Sequence, residues 1–340
     1  MIPAIFGLSG PVLTANERAF FRDADPAGYI LFGRNVEGRA QLRALTDDLR
    51  SLHGRDRLLI SIDQEGGRVA RMKPPVWPAW PAGAPFAALW EAAPASAIEA
   101  ARLNARALGM DLAEAGISLD CWPCLDVRVP GAHDVIGDRA LGEEPVRVAA
   151  LGRAVLDGLA AAGVVGVVKH MPGHGRAGAD SHKELPTVAA SPADLAQDLA
   201  PFRALAQKAL VGMTGHILFP AWDAVHPATQ SARIIGEIIR GEIGFDGLLL
   251  SDDIDMQALS GTIPERAAAA IAAGCDLVLN CWAKMDDMQG IAEACPTMPA
   301  GAPERLARAL APGAVPAARD AALQAELCAA RDALLALAPA

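Results

Sequence analysis

Eight short apolar runs separated by helix-patterned segments constrain this chain more than any other feature. The runs cover residues 4–8, 28–32, 58–62, 117–127, 164–168, 209–214, 247–251 and 275–279. Bounded and apolar, they read as strands. The segments 39–52, 95–115, 146–162, 192–208, 231–243, 263–273 and 286–295 carry Ala, Leu, Arg and Glu at helical spacing. Only the first gap, 10–26, gives a weak helix pattern. Alternation of strand and helix forces parallel pairing, because parallel neighbours need a crossover helix, and eight repeats close on themselves. The fold expected is α/β: a single-domain (β/α)8 TIM-type barrel over residues 1–340, with 302–340 forming extra C-terminal closing helices. A doubly wound open sheet would need a Gly-rich phosphate turn after its first strand, and Gly7-Leu8-Ser9-Gly10-Pro11 is a poor one.

A chain of 340 residues, 52% hydrophobic, can bury such a core. Its net charge of −10 argues against a nucleic acid or an anionic membrane face as partner, since affinity for those comes from Lys and Arg. A small or neutral substrate fits better. No run approaches the roughly 18 apolar residues of a membrane span. Residues 1–7 lack a basic leader, so a cytoplasmic location is expected. The six cysteines are scattered through a chain that needs no staples and are read as reduced thiols. Cys121 and Cys124 form one C-x-x-C without a second pair at metal-site spacing, which favours packing within a strand.

The chemistry is expected around the loop 169–186, which holds three histidines, an aspartate and two lysines after the apolar run 164–168. Pro172, Gly173, Gly175 and Gly178 forbid a regular helix there. In a barrel the active site lies at the carboxyl ends of the strands, and polar residues do follow the runs: Asp63-Gln64-Glu65, Asp126, Lys169 and His170, His216, Asp252 and Asp253, and Asn280. Charges of both signs around one mouth suit an uncharged, hydroxyl-rich substrate, and a sugar is the natural candidate. Glycoside cleavage needs a carboxylate beneath the anomeric carbon and a proton donor near the leaving oxygen. Asp252 can serve as the first. Asp180, two residues before His182 in an extended loop, can orient the imidazole and adjust its pKa, giving an acid/base dyad.

Taken together, Asp63-Gln64-Glu65-Gly66-Gly67-Arg68-Val69, Gly137-Asp138-Arg139, Lys169-His170-Met171-Pro172-Gly173-His174-Gly175 with Asp180-Ser181-His182, and Ser251-Asp252-Asp253 with Met256 closely resemble glycoside hydrolase family 3. Within it the resemblance is to single-domain bacterial β-N-acetylglucosaminidases. It implies a retaining β-N-acetylhexosaminidase that removes terminal GlcNAc from anhydro-muropeptides in the cytoplasm, during peptidoglycan recycling, without metal or other cofactor. By motif position Asp252 resembles the nucleophile, and His182, backed by Asp180, the acid/base. Asp63, Arg71, Arg139, Lys169 and His170 resemble sugar-binding residues. The family also lets the His-bearing loop move over the substrate. The chain departs from the pattern at Met171, where Phe is usual, and at Ile254-Asp255, where Leu-Ser is usual.

Plainer roles suit other residues. His174 is read as shaping the loop, His216 as either lining the pocket or capping a strand, and Glu65 as supporting a tight turn. Asp253 is read as a supporting or helix-capping carboxylate, and Trp77 and Trp80 as packed loop anchors. His53, His133 and His226 are read as surface or loop residues. Family relatives acting on glucosides or xylosides, or by phosphorolysis, remain alternatives. So do a barrel without catalysis and a metal-dependent hydrolase using His170, His174, Asp63 and Asp252.

Overall fold

Side chains alternate across a strand, so a closed sheet sorts its residues into an inner and an outer set. One inner cluster takes a residue from every expected strand: Ile5, Ile30, Leu59, Leu119, Val167, Val211, Leu250 and Leu279. The structure, a computed structural model, describes residues 1–311 and 318–338. Its strands are β1 (Ile2–Gly7), β2 (Pro26–Leu31), β3 (Leu59–Ile62), β4 (Leu119–Asp120), β5 (Val165–Met171), β6 (Val211–Thr214), β7 (Leu248–Asp253) and β8 (Leu277–Asn280). They pair in chain order, all parallel, and β8 returns to β1 to close the barrel. The expected (β/α)8 architecture is therefore present.

Around it run α1 (Ala15–Ala24), α2 (Arg39–His53), α3 (Ala84–Ala92), α4 (Pro94–Glu114), α5 (Pro145–Ala161), α6 (Pro192–Leu205), a π-helical stretch at Ile234–Glu242, α7 (Ile263–Ala273) and α8 (Met285–Ala294). The closing helices are α9 (Ala302–Leu310), whose Leu306, Ala309 and Leu310 join the inner cluster, and α10 (Ala321–Leu335). On α10, Gln324 donates to the Ala107 carbonyl (2.8 Å) and Arg331 to Asn104 (2.9 Å), tying it to α4. The expected closing segment includes residues 312–317 and 339–340, which lie outside the described residues.

Three local outcomes differ from expectation. The weak first gap forms α1 because its end is well capped. Thr14 accepts from the Glu17 N–H and the Glu17 carboxylate accepts from the Thr14 N–H, a reciprocal cap typically worth about 1 kcal/mol. The fourth strand, expected over 117–127, pairs regularly only at Leu119–Asp120. Pro123 has no N–H for the ladder, and beyond it contact with β5 persists through the Leu125 N–H to Lys169 carbonyl bond (2.7 Å). Helix α3, which the sequence reading does not include, starts at the end of the Pro-rich stretch 74–85, with Pro85 in its first turn, where proline is tolerated.

Candidate active site

The same period of two builds the site. Leu248 and Leu250 face the barrel interior, so Asp252 faces it one step higher on β7. The rule likewise carries Ile30 to Phe32, Leu59 through Ser61 to Asp63, Val167 to Lys169, and Leu279 to Cys281. All five of these upper positions line one cavity of about 160 Å³ at the carboxyl ends of the strands. Arg71, Arg139, His170 and His182 line it too.

On one side of the cavity five charges interlock. The Lys169 ammonium lies 3.0 Å from Asp63 and 2.8 Å from Glu65, and is itself 3% exposed. Arg139 grips Glu65 with two bonds of 2.9 and 2.7 Å, while Arg71 reaches Asp63 at 3.2 Å and lies over the Phe32 ring. Burial would raise the carboxyl pKa values. The fields of Lys169 and Arg71 hold Asp63 below its ordinary value, and those of Arg139 and Lys169 hold Glu65 at about 2. Burial opposes the charge on Lys169, but Glu65 and Asp63 overcome it and raise its pKa, so the ammonium is kept. Glu65, read from sequence as a support for its turn, is thus the ionic partner of two residues expected to bind sugar. The turn itself uses Gly66, whose φ of +99° and close approach to the Pro81 carbonyl leave no room for a side chain.

His170 is fixed by Asp126. Its ring Nδ1 lies 2.6 Å from one carboxylate oxygen, and its backbone N–H donates to the other (3.2 Å). The Cys124 thiol donates to the same Asp126 (3.1 Å), so this cysteine serves the site rather than merely filling a strand. Cys124, Asp126 and His170 are the one group of potential ligands among the described residues whose atoms lie within 4.8 Å of one another. The set His170, His174, Asp63 and Asp252 is not assembled that way: Asp63 is committed to Lys169 and Arg71, and His170 to Asp126. All six cysteines are free thiols.

The loop after β5 has a buried stem and an exposed tip. In the stem, the His174 N–H donates to Asp126 (2.6 Å), and Arg176 pairs with Asp198 of α6 at 2.7 Å. Gly175 lies so close to the Val127 carbonyl that a Cβ would stand 1.8 Å from its oxygen. His174 is 3% exposed, and burial together with the His170 charge lowers its pKa to about 4, consistent with a shaping role. In the tip, the buried Ser181 accepts from the Ala258 N–H (3.2 Å), pinning the loop against the segment after β7. His182 beside it has a side chain 61% exposed. Asp180 accepts from the His182 N–H (3.0 Å) and contacts its Nδ1 (2.8 Å). The chain here is a turn rather than the extended loop expected, and the carboxylate reaches the residue two ahead as aspartate does in an Asx turn.

Asp252 is 8% exposed and accepts from the Asp253 N–H at 2.8 Å. Burial would raise its pKa; His170, His216, that N–H and Lys169 together hold it below the ordinary value, so it is anionic. His216 does not line the cavity. Its Nε2 donates to the Asp253 carbonyl (2.9 Å), and its Nδ1 lies 2.8 Å from the Thr229 hydroxyl. Trp77 and Trp80 are buried anchors, as read. His53 is not a simple surface residue, since its Nε2 meets the Tyr29 hydroxyl at 2.6 Å.

The profile of the Glycosyl hydrolase family 3 N terminal domain matches residues 12–304. A beta-hexosaminidase of Bordetella avium (strain 197N) is 40% identical over 283 residues, 82% of this chain and 80% of that one. A beta-hexosaminidase of Alkalilimnicola ehrlichii is 41% identical with the same coverage of both chains. Among solved structures, NagZ from Neisseria gonorrhoeae in complex with N-trifluoroacetyl-D-glucosamine is similar, with a TM-score of 0.86 and 33% identity over 99% of this chain and 98% of that one.

Proposed function

The chain belongs to glycosyl hydrolase family 3, and from that premise we propose that it is a retaining β-N-acetylhexosaminidase whose catalytic pair is Asp252 and His182. The observation that carries this reading is that an anionic carboxylate rising from β7 and an exposed imidazole from the loop after β5 border one cavity. In the first step the Asp252 carboxylate attacks the anomeric carbon as the bond to the leaving oxygen breaks, and His182 gives that oxygen its proton. In the second, His182 takes a proton from water, the water oxygen bonds to the anomeric carbon, and the bond to Asp252 breaks. Asp180 orients the imidazole and stabilises its cationic form.

Asp63, Lys169, Arg139, Arg71 and His170 are the proposed sugar contacts. A network already paired internally offers fixed donors and acceptors that need no reorganisation when a hydroxyl-rich ring arrives. No cofactor takes part in either step. The solved relative bound to a glucosamine derivative supports a GlcNAc-type substrate. We place the leaving group among anhydro-muropeptides, in the cytoplasm during peptidoglycan recycling, and take residues 1–340 as one hydrolase unit. Among the described residues no helix is long and apolar enough to cross a membrane.

Initial rates on aryl β-N-acetylglucosaminides and aryl β-glucosides, with and without phosphate, test the reading. Preference for the N-acetylated sugar, indifference to phosphate, and a loss of at least ~10³-fold in a folded Asp252→Ala enzyme are expected. Full activity in that variant removes Asp252 as nucleophile.

A further inference from the structure

Directly after Asp252 the chain places two more carboxylates, Asp253 and Asp255, against the end of β8. A single backbone N–H, that of Cys281, donates to both, at 3.3 Å to Asp253 and 3.0 Å to Asp255. Asp253 also accepts from the Asp255 N–H (3.1 Å), and Asp255 from the Asn280 side chain (2.8 Å). Two carboxylate oxygens that converge on one nitrogen stand close enough to repel strongly when both are charged.

The surroundings supply no cation in contact. Arg34, from the loop after β2, donates through Nε and one Nη to the Leu8 and Cys281 carbonyls; its charge is felt by Asp253 and Asp255, but it forms no ion pair with either. Arg266 of α7 donates to the Ile254 and Met256 carbonyls, and His216, whose pKa burial lowers, donates to the Asp253 carbonyl. The remaining neighbours, Asp252, the Cys281 thiol and Asp63 across the cavity, are neutral or negative. A proton between the two carboxyls resolves the conflict.

Resting on Asp252 as the nucleophile, we infer that Asp253 and Asp255 share one proton and form a clamp that positions Asp252, with Asp255 acting as a positioning residue through Asp253. The link runs through the backbone of Asp253: its N–H holds the Asp252 carboxylate, its carbonyl is held by His216, and its side chain is held by Asp255. Burial and the Asp255 carboxylate push the Asp253 carboxyl well above the usual carboxylate range, which agrees with a proton retained at neutral pH. Loss of that proton at higher pH puts a second negative charge in the clamp, and the Asp253 N–H is pulled off the nucleophile.

The test uses dinitrophenyl β-N-acetylglucosaminide, whose leaving group needs no proton, so that His182 does not contribute an alkaline limb to kcat/KM. Wild type is expected to lose activity at alkaline pH. Asp255→Asn, an amide that permanently supplies the shared hydrogen, and Asp255→Ser should move that limb up by about one pH unit or more, whatever their activity at neutral pH. A second reading does not depend on turnover: the wild-type minus Asp255→Asn infrared difference spectrum at neutral pH should carry the band of a protonated carboxylic acid, the band of the buried Asp120 carboxyl, whose pKa burial also raises, cancelling between the two proteins. A flat wild-type profile, the same limb in all three proteins, or no acid band in the difference spectrum overturns the clamp. Absence of turnover with the difference band present overturns the hydrolase reading instead.

Discussion

Glu65 carries more of the site than its position in a Gly-rich turn suggests. It is 2% exposed and neutralises two cations at once, so its removal leaves Arg139 without a carboxylate and Lys169 with Asp63 alone. Breaking a buried pair from one side typically costs about 3–5 kcal/mol. Glu65→Gln should therefore lower the unfolding free energy by that order in urea titration, and lower kcat/KM as the sugar-facing cations shift. Unchanged stability would mean that the network is replaceable. The individual positions Asp63, Lys169 and Asp252 were legible in sequence because each is the polar end of an apolar run. Glu65 was not, since its pairing with Arg139 spans 74 residues and leaves no local periodicity.

At the scale of elements, the loop after β5 is held by its stem and carries its chemistry at its tip. Arg176 bridges to Asp198, whose burial raises its pKa to about 6 despite the pull of Arg176. Arg176→Ala should quicken amide exchange across residues 178–185 and cut kcat/KM by about tenfold or more, because small misplacements of a catalytic group are costly. Wild type should loosen in the same segment as pH falls below about 6, where Asp198 takes up a proton and the ion pair weakens. Equal exchange in both proteins would sever the stem from the tip. The strands themselves were readable from short β-branched runs, and β4 was overextended only because an apolar run does not register that Pro123 lacks a donor. The Asp180–His182 contact was read correctly as a pair but through the wrong backbone, since spacing of two is shared by strands and Asx turns.

Across the whole molecule, the barrel brings residues 63, 169 and 252 together by stacking the strands in chain order, and this was the part most legible from the alternation of runs. The same burial makes stability depend on pH. His174 has its pKa lowered to about 4 in the fold against an ordinary 6.5, so the unfolded chain binds more protons in that window and stability is lost as pH drops from one value to the other. Asp198, raised to about 6, works in the opposite sense below that value. The melting temperature of wild type should therefore drop more steeply from pH 7 to 5 than that of His174→Asn; parallel curves would show that His174 is not held neutral by the fold.

The central claim is that His182 and Asp252 act on one glycosidic bond, and the measurement that addresses it most directly is the dependence of His182→Ala hydrolysis on the leaving group. Across aryl β-N-acetylglucosaminides of graded acidity, poor leaving groups should slow by about 10²–10⁴-fold and dinitrophenyl far less, because only the former need a proton in the first step. Equal losses for both would contradict it.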